Sequence, residues 1–143
     1  MPTVDAAALA REFLAELGRQ DWDRLDRLCR PDYVHHAPRV ARASLAEYRQ
    51  VATAMFSAFP DMTVRVEQLV PAGEWVTARY VATGTQTGPF HGIPPTGRTV
   101  SLSVLALLRL SGDLFAEGWF EFDSGELVER LTQAAAGAGP ARS

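Results

Sequence analysis

Residues 98–123 have the sequence RTVSLSVLALLRLSGDLFAEGWFEFD, and this stretch decides the fold class. Apolar and polar side chains alternate on either side of Ser111 and Gly112, which predicts two β-strands joined by a hairpin turn. The first strand spans Arg98–Leu110 and the second Leu114–Asp123. Strands of this length form a sheet whose apolar face must be covered by other elements.

The chain on both sides of this hairpin supplies helices and further strands. Helices are predicted from apolar residues at intervals of three and four over Val4–Gly18, Trp22–Cys29, a segment that follows Ser44, and Glu126–Ala135. Ser44 and Glu47 have the spacing of a capping box. Alternation with a period of two predicts strands over Met62–Leu69 and Glu74–Gln86. Three N-terminal helices followed by hairpin-linked strands are typical of an α+β fold.

The length and composition describe one globular domain. The chain has 143 residues, of which 47% are hydrophobic and 22% charged, values typical of a folded domain. We expect residues 1–133 to form it and residues 134–143 to form a flexible tail. A formal charge of −3 gives no basic surface for nucleic acid. Because we find neither an apolar run long enough for a membrane nor a signal peptide, we expect a cytoplasmic protein.

Motifs that hold a cofactor are absent from the sequence. Cys29 is the only cysteine, so no internal disulfide forms, and no Cys/His spacing indicates zinc. The sequence also contains no glycine-rich phosphate loop and no Ser/His/Asp arrangement. We therefore expect any chemistry to be proton transfer without a cofactor.

One strand predicts an interface between two copies of the chain. The segment Val104–Leu108 is apolar on both faces, and helices cover only one face of an α+β sheet. A second copy would cover the other face and give a homodimer. The alternative is a fully buried central strand in a monomer, and we favour the dimer.

The last strand carries the first candidate for catalysis. Because side chains alternate along a strand, Trp119, Glu121 and Asp123 share one face, while Phe120 and Phe122 share the other. A carboxyl group of Asp123 in an aromatic cavity would have a raised pKa and would suit general-base catalysis. The alternative is that Asp123 caps the helix that follows it, since Asp-Ser-Gly also favours a turn.

Three histidines are further candidates. His35 and His36 are adjacent in an extended segment, so at most one of them enters a cavity and the other is solvated. A histidine in a cavity is a candidate proton shuttle. His91 lies in a loop rich in proline and glycine, where it lines a cavity mouth or has no role.

Several segments together resemble the SnoaL-like polyketide cyclase family of the NTF2-like superfamily. They are FSAFPDM at 56–62, GTQTG at 84–88, GIPPTGR at 92–98, Arg109, and Trp119 followed by Asp123. The resemblance covers roughly residues 5–133. It implies a cone-shaped α+β barrel in which a curved antiparallel sheet surrounds an apolar pocket.

The resemblance also implies an activity and a set of site residues. Known members close a ring of a polyketide by intramolecular aldol condensation without metal or cofactor, using an acidic side chain as the base. The acid corresponds to Asp123, with Glu121 as the alternative, and the pocket histidine to His36 or else His35. The residues expected to contact a hydrophobic, polyketide-like substrate are Tyr33, Phe56, Phe59, Gln86, Phe90, His91, Trp119 and Glu121.

This sequence departs from the family pattern at two positions. Gln86 stands where the family commonly has histidine, and the strand containing Ser103 and Leu105 offers no histidine where cyclases of the group have one. Relatives that act in hydroxylation, a binding domain without catalysis, and an epoxide hydrolase using Asp123 with Arg79 or Arg109 are therefore the alternatives to ring closure.

Overall fold

A computed structural model describes residues 5–38 and 40–136 of the chain. Its elements are, in chain order, α1 (Ala6–Arg19), α2 (Trp22–Leu28), β1 (Cys29–Ala37), β2 (Val40–Ala43), α3 (Leu45–Ala58), β3 (Thr63–Ala72), β4 (Trp75–Thr85), β5 (Thr99–Ser111), β6 (Leu114–Glu121) and α4 (Ser124–Ala136). The α+β fold is confirmed. The predicted tail at 134–143 lies outside the described residues except for the last turn of α4, which extends to Ala136. Within the described ranges, no helix has the length and apolar character needed to cross a membrane.

Side-chain caps mark the starts of α1 and α3. The Asp5 carboxylate accepts a hydrogen bond from the Ala8 N–H at 3.1 Å. Ser44 and Glu47 form the predicted capping box, with hydrogen bonds of 3.1 and 2.8 Å. Helix α1 ends later than expected, since Gln20 and not Gly18 is its cap, in the left-handed conformation with φ 59°. The Gln20 N–H satisfies carbonyl groups at the end of the helix, which offsets the cost of a positive φ.

The six strands form one open, curled sheet in the order β2-β1-β6-β5-β4-β3. Neighbouring strands are antiparallel, except that β1 runs parallel to β6, where His36 pairs with Trp119. The expectation of a purely antiparallel sheet was wrong at this pair, and β2 was not expected. Hydrophobic alternation identifies a strand but does not identify its partner, so a parallel pair between distant segments leaves no local signal.

The concave face of the sheet forms the core together with the helices. On β5, Val104, Ala106 and Leu108 are buried while Leu105 and Leu107 are exposed, which is the alternation expected of a sheet with one covered face. Phe13 of α1 packs against Phe115 and Phe120 of β6, with ring centroids 5.3 and 6.1 Å apart. Helix α3 lies against β1 and β2. The space between α3 and the concave face holds the site described next.

Candidate active site

An internal cavity of about 130 Å³ lies between α3 and the concave face of the sheet. Its volume is close to the ~150 Å³ of an engineered cavity that binds benzene. The wall is apolar apart from His35, Tyr48 and Tyr80. Among the described residues, no carboxylate contributes to this wall. The cavity therefore accepts a flat hydrophobic group, and very few atoms of the surrounding wall are polar.

The mouth of the cavity lies between α3 and the turn that joins β1 to β2. Val51 of α3 lines the cavity and is 48% exposed, so it marks the boundary between the cavity and solvent. Pro38 and Val40 line the cavity from the other side and are half-buried.

His35 is the polar side chain that the fold encloses most completely in this wall. It is 0% exposed, and its ring lies between Tyr48 and Phe120, with centroid distances of 3.7 and 4.5 Å. Its Nδ1 atom lies 2.9 Å from the hydroxyl of Tyr33. Its Nε2 atom has no hydrogen-bond partner among the residues that the structure describes. An unpaired buried polar atom is costly unless a ligand or water supplies its partner.

Burial determines the charge of His35. Desolvation, and secondly the nearby His36, lower the pKa of His35 from 6.5 to about 3. The imidazole is therefore neutral near pH 7. Burial also raises the pKa of Tyr48 to about 12 and that of Tyr80 well above its ordinary value, so both phenols stay protonated.

The expectation that His36 is the pocket histidine was wrong, because the two histidines face opposite sides of β1. His36 points to the outer face of the sheet, where it stacks on Trp119 with a centroid distance of 5.1 Å. Its Nε2 lies 2.7 Å from Glu117, which also accepts a hydrogen bond from Arg109 at 3.2 Å. These hydrogen bonds, first that of His36 and then that of Arg109, hold the pKa of Glu117 below its usual range.

The face of β6 that carries Trp119 was also assigned to the wrong side. Phe120 and Phe122 line the cavity, whereas Trp119 lies outside it and Glu121 is exposed. The physical signal was available, because an apolar cavity favours the face with two phenylalanines over the face with two carboxylates. A β-bulge at Ala116, unopposed between Arg109–Glu117 and Leu110–Phe115, shifts the alternation before this point.

Asp123 is placed at the start of α4 and not in the wall of the cavity. Its carboxylate accepts a hydrogen bond of 2.8 Å from the Glu126 N–H, and the residue is exposed. The capping alternative is therefore the one that the structure shows. The exposed carboxylate therefore lies outside the aromatic cavity on which the general-base hypothesis depended.

Of the expected substrate contacts, Phe56 and Phe59 lie in the cavity wall. Tyr33 is buried behind His35 and reaches the cavity only through it. Phe90 packs edge-on against Phe59, with a centroid distance of 5.5 Å, in a neighbouring apolar cluster. His91 is exposed and has a positive φ of 49°.

Gln86 organises a loop and does not contact the cavity. The side chain is 0% exposed. Its Nε2 donates to the carbonyl oxygens of Gly88, Ile93 and Pro94 at 3.0, 3.2 and 3.3 Å. Its Oε1 accepts from the N–H and hydroxyl of Thr96 at 3.1 and 2.8 Å. An amide is suited to this role because it donates and accepts at once, which explains why glutamine is tolerated here.

The arginines considered for an epoxide hydrolase have other partners. Arg79 donates to Gln68 at 2.8 Å, and Arg109 donates to Glu117 on the outer face. Asp123 is occupied as a helix cap. The structure therefore does not bring these residues together as an Asp-Arg-Asp site. The residues that sequence reasoning missed are Tyr48, Tyr80, Phe120 and Phe122 in the wall and Glu117 outside it.

Comparison with known proteins identifies the protein family to which this fold and cavity belong. The profile of the SnoaL-like polyketide cyclase family matches residues 8–131. AclR from Streptomyces galilaeus, for which a hydroxylase function has been suggested, is 28% identical with a TM-score of 0.80, over 90% of this chain and 96% of AclR. Wild-type IdmH from Streptomyces antibioticus, a suggested polyketide cyclase, is 26% identical with a TM-score of 0.82, over 90% and 99%.

A third solved structure, TsrD from Streptomyces laurentii, is 31% identical with a TM-score of 0.74, and the match covers 87% of this chain and 92% of TsrD. No curated protein sequence matches the chain. The chain belongs to the SnoaL-like polyketide cyclase family.

Proposed function

We propose that this chain is an enzyme that closes a ring in a polyketide-type substrate by intramolecular aldol condensation, with His35 contacting the reacting carbonyl. The observation that carries the proposal is the neutral, buried imidazole of His35 in the wall of an otherwise apolar cavity. Membership of the family supports the substrate class. In this proposal His35 is a hydrogen-bond donor to the reacting oxygen, a role different from that of the general-base carboxylate that the sequence led us to expect.

The cavity fits the aromatic part of such a substrate. Its volume accommodates about one ring, and Phe56, Phe59 and Phe120 supply flat apolar walls. The rest of a polycyclic substrate extends through the mouth beside Val51. Burial of the ring shields the carbonyl groups attached next to it from water.

The reaction needs no atoms beyond those of the substrate. A 1,3-dicarbonyl unit reacts as its enol, and the enol carbon forms the new carbon–carbon bond with the carbon of a ketone. The ketone π bond breaks, and the enol proton ends on the former ketone oxygen as an alcohol. A fixed polar group beside that oxygen stabilises the charge that develops on it, and loss of such a group typically lowers the rate by about 10² to 10³.

Specific observations support two alternatives to ring closure. The similarity to AclR favours a role in polyketide hydroxylation, and the absence of a carboxylate from the described cavity wall favours a protein that only binds a hydrophobic ligand. The mass of the product separates the first alternative, since ring closure leaves the mass unchanged and hydroxylation adds one oxygen. A binding protein gives no product.

We also propose that two copies of the chain associate through the outer face of the sheet. Leu105, Leu107 and Trp75 expose 53%, 37% and 36% of their surface on this face. Exposed apolar groups on neighbouring strands lose contact with water when a second copy covers them. In an isologous dimer each copy contributes the same surface to the interface, and here that surface is the outer face of the sheet.

The decisive experiment compares the two adjacent histidines. His35→Phe keeps an aromatic ring in the stack but removes both nitrogens, and His36→Gln is the matched control on the outer face. With an anthraquinone that carries a β-keto ester side chain and a neighbouring ketone side chain, we expect His35→Phe to lower the rate of ring closure by about 10² and His36→Gln to leave it within about twofold. Product mass and absorbance report the reaction.

Other outcomes would assign the catalytic role to Asp123 or indicate that the protein only binds its ligand. Full turnover in His35→Phe together with loss in Asp123→Asn would return the reaction to the carboxylate of the sequence hypothesis. Binding of the substrate without turnover in the unaltered protein would favour the binding domain.

A further inference from the structure

We propose that the Tyr33 hydroxyl donates its hydrogen bond to Nδ1 of His35 and thereby fixes the imidazole as the tautomer that carries its proton on Nε2. His35 contributes to the cavity wall, and its Nε2–H is then a hydrogen-bond donor without a partner among the described residues. The ligand it selects places a carbonyl or enolate oxygen against Nε2. The statement about the ligand rests on the proposed function, whereas the tautomer stands on the geometry of Tyr33 and His35 alone.

Hydrogen-bond accounting separates the two possible tautomers. The oxygen of Tyr33 and Nδ1 of His35 are 2.9 Å apart, and either atom can be the donor. If Nδ1–H donates, both the phenol proton and the lone pair of Nε2 lack partners among the described residues. If the phenol donates, only Nε2–H lacks a partner. Because each buried unsatisfied group is costly, the second arrangement is favoured.

Both partners are neutral, as this arrangement requires. Burial raises the pKa of Tyr33 well above 10.0, so the phenol keeps its proton. Burial lowers the pKa of His35, so the imidazole keeps only one. A neutral imidazole has one donor nitrogen and one acceptor nitrogen, and the bond to Tyr33 determines which is which.

The protein makes room for the Tyr33 hydroxyl at a glycine in the middle of a strand. A Cβ atom at Gly118 of β6 would lie 2.6 Å from the Tyr33 hydroxyl and 2.9 Å from Leu108. Glycine weakens a strand interior and often marks the close approach of another group. At Gly118 the group that approaches is the phenol that contacts His35.

The surrounding rings and Tyr33 together hold His35 in one orientation. Tyr48 and Phe120 stack on the imidazole, each with an interplanar angle of 20°, and fix the plane of the ring. A half-turn of the ring that returns it to that plane would keep the stacking contacts but would place a carbon atom against the Tyr33 hydroxyl and lose its bond to Nδ1. Tyr33 is therefore a positioning residue, which acts on the substrate through His35.

Nitrogen NMR of histidine-labelled protein tests the tautomer directly. The chain has three histidines, so His36→Gln and His91→Gln assign the resonances of His35. We expect a protonated, pyrrole-type shift for Nε2 and an unprotonated, pyridine-type shift for Nδ1. The reverse pattern in the unaltered protein overturns the proposal.

Two variants distinguish the hydroxyl of Tyr33 from a general effect of packing. Tyr33→Phe removes the donor, and we expect the two nitrogen shifts of His35 to move towards each other. Tyr48→Phe removes a hydroxyl from the ring that stacks on His35, and we expect the shifts to stay as they are. Equal effects of both variants, or no effect of Tyr33→Phe, contradict the assignment.

A matched pair of small molecules tests the ligand class without turnover. We expect 1-indanone, which carries one carbonyl, to bind about fivefold to tenfold more tightly than indane, because one hydrogen bond is gained. His35→Phe should abolish the difference. Equal affinity of the two compounds for the unaltered protein refutes the ligand class, and this result would leave a measured ring-closing activity in place.

Discussion

The Nε2 atom of His36 lies 2.7 Å from a carboxylate oxygen of Glu117 on the outer face of the sheet. The other ring nitrogen of His36 lies 2.8 Å from the carbonyl oxygen of Ala41. Both neighbours are hydrogen-bond acceptors, so a ring nitrogen of His36 that carries a proton can donate to either of them. The preceding residue, His35, faces the other side of β1 and is neutral and buried. Adjacent positions of one strand therefore place one histidine in a hydrogen-bonded cluster on the outer face and the other in the wall of an apolar cavity.

Acid should destabilise the fold through His35. Its pKa is about 3 in the folded chain, compared with 6.5 as the ordinary value. As the pH falls from 6.5 towards 3, the unfolded chain binds a proton that folded His35 does not. The free energy of unfolding should therefore fall by up to about 1.4 kcal/mol per pH unit in this window.

Urea unfolding across this window measures the effect, and His35→Phe should be less sensitive to pH than the unaltered protein. His36→Gln is the control and should keep the dependence on His35. If His35→Phe and the unaltered protein lose stability in parallel, the buried neutral histidine is not the cause.

Removal of the Asp123 carboxylate should weaken the start of α4. The side chain caps the Glu126 N–H at 2.8 Å, so Asp123→Ala should lower the free energy of unfolding by about 1 kcal/mol. Asp123→Asn keeps a side-chain oxygen and should cost less. Glu121→Ala, at an exposed position two residues earlier, is the control, and chemical denaturation compares the three. An Asp123→Ala protein as stable as Glu121→Ala would exclude a capping role.

A methyl group at Gly118 should disturb both stability and the site. The added Cβ meets the Tyr33 hydroxyl at 2.6 Å and Leu108 at 2.9 Å. Overpacking of this kind costs about 1 to 3 kcal/mol, so the thermal midpoint of Gly118→Ala should fall. A matched Gly112→Ala substitution removes a glycine from a turn with φ 69°, where no atom lies within 4 Å. Both variants lose stability, but only Gly118→Ala should alter the nitrogen shifts of His35.

Replacement of Gln86 by a charged isostere should loosen the loop at 87–98. Gln86→Glu places a carboxylate against the carbonyl oxygens of Gly88, Ile93 and Pro94, which accept hydrogen bonds and cannot donate them. The lost bonds and the buried charge should cost at least about 1 to 3 kcal/mol. Limited proteolysis should show faster cleavage within the loop. Thr87→Ser, at an exposed neighbour, should cleave at the rate of the unaltered protein.

A charge on the outer face of the sheet should separate the two copies. Leu105 is 53% exposed at the centre of that face, so Leu105→Glu would bury a carboxylate in the proposed interface, at a high cost in free energy. Sedimentation at micromolar concentration should show a dimer for the unaltered chain and a monomer for Leu105→Glu. Val51→Glu changes a comparably exposed residue of α3, on the opposite side of the sheet, and should stay dimeric. A monomeric unaltered protein would contradict the interface.

Local chemistry made much of the fold predictable from the sequence. The caps at Asp5 and Ser44 and the hairpin at Gly112 depend on hydrogen bonds and backbone angles of a few consecutive residues. Such features are determined by neighbours in the chain. The family was likewise recognisable, because its motifs are short local segments.

The site was less predictable because it depends on which face of a strand points inward. Alternation shows that Trp119 and Phe120 lie on opposite faces but does not orient the strand, and the same ambiguity applies to His35 and His36. The bulge at Ala116 changes the alternation within β6. The parallel pairing of β1 with β6 determines which face of each strand points inward. No short segment of the sequence reveals this pairing.

That parallel pairing determines when the cavity can form during synthesis of the chain. His36 and Glu117 are 81 positions apart, and pairing between distant segments is slow because a long loop must close first. Strands β4, β5 and β6 are consecutive along the chain and antiparallel, so they assemble with shorter loops. Strand β1 is synthesised before β6, so the two strands can pair only after β6 has been translated. Until then Phe120 cannot stack on His35, so the buried state of this imidazole requires the complete sheet.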